Sequence, residues 1–118
     1  MAFVKGDIIW VNSNNRDSER LKHPAVVWED TEDESDFYGI MLTHAGPDKG
    51  YDNILMQVEH FEAGNEIVFS NTHFVNQLFI KFHEWGPFYR CGKLTESGIE
   101  FITDRLTEND PITFNNYS

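Results

Sequence analysis

The sequence predicts a mainly β fold: a small barrel or strongly curved sheet of short antiparallel strands, with one helix near the C-terminus. Three observations predict it. Runs of β-branched and aromatic residues alternate with period two, from Asp7-Ile8-Ile9-Trp10-Val11 onward. Clusters of Gly, Pro, Asn and Asp separate those runs, as at Ala45 to Asp52. Helical spacing is adopted only after Gly92, where Ile99, Ile102 and Leu106 form one apolar stripe. Several strands followed by one amphipathic helix make a curled sheet with a helix laid on it.

Taken in order, Asp7 to Val11 reads as a strand with Ile8 and Trp10 on one face and Ile9 and Val11 on the other. Asn12 to His23 is polar and lacks apolar periodicity, which marks a long loop of the kind that carries function. Pro24 extends the chain, and Ala25-Val26-Val27-Trp28 suits a strand buried on both faces. Glu29 to Asp36 holds six carboxylates in eight positions, a density whose self-repulsion favours an exposed loop. Its spacing lacks the Gly and terminal Glu of a calcium loop.

Phe37 to Thr43 is expected to return as a strand, and Ile54 to Phe61 to form the next, with Ile54, Met56 and Val58 on its apolar face. Ala63 to Glu66 turns the chain into the apolar Ile67-Val68-Phe69. Phe74 to Phe82 has β-formers for one or two more strands, and Gly86-Pro87 breaks the run. Thr95 is placed to cap the helix, with Ser97 and Glu100 as an alternative capping box, and Pro111 ends any continuation. At 118 residues the chain is one domain, with a core over about 5–106 and a short tail over 107–118.

Charge narrows the functional classes. Lys and Arg total 9 against 20 Asp and Glu, a formal net charge of -11. A broad basic face for nonspecific nucleic-acid binding is excluded, while a local cluster is not. The same excess also serves simply to keep the protein soluble. No apolar run approaches the roughly 20 residues of a membrane-crossing helix. Met1 to Asp7 has neither the basic opening nor the apolar stretch of a signal peptide, and the lone Cys91 requires no oxidising compartment. A cytoplasmic protein without membrane association is expected.

The order of motifs resembles a known family. Lys5-Gly6-Asp7-Ile8-Ile9-Trp10-Val11 resembles the "GDIxWV" opening of the MazF/PemK toxin endoribonucleases. Asp17-Ser18-Glu19 followed by Lys22-His23-Pro24-Ala25-Val26-Val27 resembles that family's "GSEQ…RPAVV" stretch. Ile40-Met41-Leu42-Thr43 resembles the strand carrying its active-site threonine, and Asn76 to Lys81 resembles its "DQIRTI"-like strand. Gly92-Lys93-Leu94-Thr95 matches how such chains enter their last helix. The resemblance implies an SH3-like barrel, a homodimer, an antitoxin-like protein or peptide partner, and cleavage of single-stranded RNA without metal or cofactor. In that chemistry the ribose 2′-hydroxyl attacks the adjacent phosphorus, so the protein shuttles protons and stabilises charge.

On this pattern the catalytic candidates are His23 and Thr43, and the RNA-binding candidates are Arg20, Lys22 and His44. His23 stands where the family has an arginine before the proline. An arginine is a permanently charged fork, whereas a histidine has a reference pKa suited to proton transfer near neutrality. The acidic run from Glu29 also replaces small and amide residues, and near a cleft it would repel RNA. These departures favour a second reading, a catalytically inactive SH3-like barrel that receives a peptide as a protein-interaction module.

Other features have simpler explanations. The five histidines, His23, His44, His60, His73 and His83, lack paired ligand spacing, so no metal site is expected. Cys91 has no activating neighbour and is expected to be buried. Phe79, Phe82, Trp85, Phe88 and Tyr89 could stack bases, but core packing or a subunit interface accounts for them more directly.

Overall fold

The first strand is launched by a turn that needs glycine. The Asp7 N–H donates to the Val4 carbonyl at 3.0 Å, and Gly6, third in that turn, has a φ of +97°. Glycine enters this left-handed region without the steric cost a Cβ would bring. The Asp7 carboxylate answers from the other side, its Oδ2 accepting the Val4 N–H at 3.0 Å.

The computed structural model describes residues 3–11, 23–30, 37–43, 53–64, 71–81, 89–107, 110, 112 and 113. Eight strands lie within them: β1 (Asp7–Val11), β2 (His23–Asp30), β3 (Phe37–Thr43), β4 (Asn53–Leu55), β5 (His73–Val75), β6 (Phe79–Lys81), β7 (Tyr89–Lys93) and β8 (Ile112–Thr113). One helix, α1 (Glu96–Arg105), follows β7. The protein is therefore mainly β with a helix near its C-terminal end. Neighbouring strands run β4-β5-β3-β2-β1-β7, all antiparallel. β6 adds to β3 beside β5, and β8 joins β6 in parallel. Among the described residues the path ends on β4 and β7 without closing.

Alternation along the strands loads both faces of this sheet. Ile8, Val26, Ile40 and Leu42 belong to one apolar cluster, onto which α1 lays the fully buried Ile102. Ile9, Ala25, Val27 and Met41 belong to a second, with Phe37 and Phe79. A sheet covered on both sides reads as a continuous apolar run, and 25–28 does so as expected. Full burial of a side chain the size of Ile102 contributes about 2–3 kcal/mol.

The helix begins where the sequence placed its cap. Thr95 is extended, and its Oγ1 accepts the Gly98 N–H at 3.1 Å. Ser97 lies inside the helix instead of capping it, with its Oγ 2.9 Å from that of Thr95. The helix stops at Arg105, ahead of Pro111, and the Arg105 guanidinium covers the Phe101 ring 3.8 Å from its centroid.

Five expectations need correction. The strand expected from Ile54 to Phe61 is only three residues long, because Val58 is 78% exposed and breaks the apolar alternation. A 3-10 turn, Val58–His60, takes its place, fastened by the His60 Nδ1, which accepts the Gln57 N–H at 3.0 Å. Glu29 and Asp30, assigned to an exposed acidic loop, complete β2 opposite Tyr38 and Phe37. β7 and β8 carry too little alternation to be foreseen, and β8 ties the supposed tail back to β6. His23, expected to end the loop over 12–23, is instead the first residue of β2; the remainder of that loop, the rest of the acidic run and the stretch 67–69 lie outside the described residues.

Candidate functional site

β-Sheet register decides which polar residues meet. On β1 and β2 the ladder pairs Ile8 with Val26 and ends on Val11 opposite His23. On β2 and β3 it runs from Asp30 opposite Phe37 to Ala25 opposite Met41. Thr43 lies past the end of that ladder and pairs on the other edge of β3 with His73 of β5, and His73 pairs in turn with Leu55 of β4. Residues 43, 73 and 55 thus form one transverse row over three strands, while His23 pairs with Val11 where β2 begins.

The Thr43–His73 pair is the polar part of this row. Cross-strand partners leave the sheet on the same face, with Cβ atoms about 4.5–5.5 Å apart. Both residues are half-buried, and they follow Met41 and Val75 on the face of the second apolar cluster. The His73 Nδ1 is buried and makes no hydrogen bond among the described residues. A buried imidazole nitrogen without a partner is unusual in a native structure.

Of the residues singled out from sequence, Thr43 falls in this row, and His23 opens β2, with the backbone alone described for it. Arg20, Lys22 and His44 lie outside the described residues. His73 is the addition. In the sequence it is one of five histidines without paired ligand spacing, and only the β3–β5 register brings it beside Thr43. His60 is set apart, under α1, with its ring against Phe101. His44 and His83 are also outside the described residues, among which no group of three or more metal-binding side chains occurs.

Cys91 is buried, and Phe79 is in the core as expected, but Tyr89 is 66% exposed. Among the described residues no helix is long and apolar enough to cross a membrane.

A hydroxyl and an imidazole stand side by side on one sheet face. Histidine nitrogens exchange protons near neutrality, and a threonine hydroxyl donates to a developing oxyanion. Neither a protein-family model nor a curated protein matches the chain.

Proposed function

We propose that the protein is a MazF/PemK-like barrel that cleaves single-stranded RNA by attack of the ribose 2′-hydroxyl, without a metal. One observation supports this reading: Thr43, picked out by its motif, stands beside His73 on one sheet face, and His23 opens the neighbouring strand β2. His23 removes the 2′-hydroxyl proton while that oxygen bonds to phosphorus. Thr43 donates to a phosphoryl oxygen as charge builds on it. The 5′-oxygen departs and takes a proton from His73, leaving a 2′,3′-cyclic phosphate and a free 5′-hydroxyl. Arg20, Lys22 and His44 hold the RNA backbone, and a homodimer in the cytoplasm, restrained by an antitoxin-like partner, completes the proposal.

The test is incubation of the purified protein with a long single-stranded RNA in EDTA. Cleavage by wild type is expected, falling about a hundredfold or more in His23→Ala and in Thr43→Ala. The net charge of -11 favours the second reading, an inactive barrel that receives a peptide. An inert wild type on varied RNAs, harmless when expressed in bacteria, would establish that reading instead. Loss of cleavage on chelation would overturn the metal-free mechanism.

A further inference from the structure

A bulge on β7 brings two cations to one pocket. Asp7 pairs with Lys93 and Ile8 with Gly92, but Ile9 pairs with Arg90, so Cys91 is an extra residue. Three apart on an unbroken strand, Arg90 and Lys93 would leave on opposite faces. The extra residue cancels one alternation, because their partners Ile9 and Asp7 are two apart on β1 and share a face. Both cations line an open pocket of about 280 Å³, together with Glu62, Ala63 and Gly64.

The Arg90 guanidinium is tethered by Asp7, which lies outside the pocket lining. Asp7 is 3% exposed, and its Oδ2 is occupied by the Val4 N–H. Its Oδ1 makes no hydrogen bond and lies 3.7 Å from the Arg90 Nη1, an ion-pair distance too long for a hydrogen bond. The Arg90 side chain stays 60% exposed, so its fork is tethered by charge with its five N–H donors unsaturated by Asp7. Gly64 has a φ of +82° and open space where a Cβ would stand, so the backbone is accessible there.

We propose that this pocket binds a small ligand through an oxyanion, either a phosphate ester or a carboxylate. The Arg90 fork grips the oxygens and Lys93 supplies the second positive charge. The remainder of the ligand rests on the Ala63–Gly64 turn and meets Glu62 with a hydrogen-bond donor. The protein's negative field repels anions at a distance, so recognition comes from these short contacts rather than from steering. The inference does not rest on RNA cleavage, since it uses none of His23, Thr43 and His73.

The test is an amide chemical-shift titration of the full chain with sodium phosphate and, separately, sodium acetate, at constant ionic strength. Saturable shifts at Gly64, Arg90, Gly92 and Lys93 are expected with at least one salt, and the more effective salt identifies the ligand class. Arg90→Gln should weaken binding about tenfold, Arg90→Lys less. Arg105→Gln removes the same charge from α1 and should leave binding unchanged. Absence of saturable shifts with both salts overturns the proposal. So does wild-type affinity in Arg90→Gln, or an equal loss in Arg105→Gln.

Discussion

The rings of His60 and Phe101 lie 4.2 Å apart, centroid to centroid, with their planes tilted by 36°. This contact joins the 3-10 turn to α1, and the polar groups around it are arranged for a neutral imidazole. The Nδ1 accepts the Gln57 N–H, which it can do only while unprotonated, so the ring proton sits on Nε2.

Stability should therefore fall in mild acid. Burial lowers the His60 pKa; Glu59 opposes that shift and Arg105 adds to it. A group whose folded pKa is depressed binds more protons unfolded, so its contribution is complete above about pH 6.5 and is lost as pH drops toward the folded value. Urea midpoints for wild type and His60→Gln, measured from pH 8 to pH 5, should show the wild type losing more stability over that range.

The Thr95 hydroxyl serves two elements at once, capping α1 through Gly98 and donating to the Glu59 carbonyl at 3.0 Å. Thr95→Ala should cost about 1–2 kcal/mol in equilibrium unfolding. Thr95→Ser should recover most of it.

Gly98 sets propensity against packing. Alanine inside a helix is favoured over glycine by about 1 kcal/mol. A Cβ on Gly98, however, would run into the His60 carbonyl backbone, which has no flexible end to yield. Overpacking costs about 1–3 kcal/mol, so Gly98→Ala should be destabilising on balance, measured by thermal melting.

At the proposed site, His23→Arg exchanges the proposed base for a permanently charged fork that cannot take the 2′-hydroxyl proton, and should lower the RNA-cleavage rate about tenfold or more. A gel assay on one RNA, with Thr43→Ala as the inactive control, checks this. A higher rate would show that His23 stands in for a phosphate clamp rather than acting by proton transfer.

Legibility followed the strength of local pattern. β1 and β3 begin and end where alternation does, and Thr95 marked the helix start because a capping hydroxyl acts within a few residues of itself. Val58 misled because an apolar residue was counted as buried, when here it is exposed on a turn. Tyr89 to Lys93, with Arg, Cys, Gly and Lys, has no alternation to read, and its bulge exists only through pairing with β1. The site divides in the same way. His23 and Thr43 came from motif order, whereas His73 became a candidate only through a register between segments thirty positions apart.

β3 is held on both sides, by β2 along one edge and by β6 and β5 along the other. Its second set of partners is made after it on the ribosome, so a nascent chain that has not yet emerged through Lys81 carries a central strand with one bare edge. Such an edge invites pairing with a neighbouring chain. The order of synthesis therefore gives this small protein a stage at which shielding by a chaperone matters, and that stage ends when β6 docks.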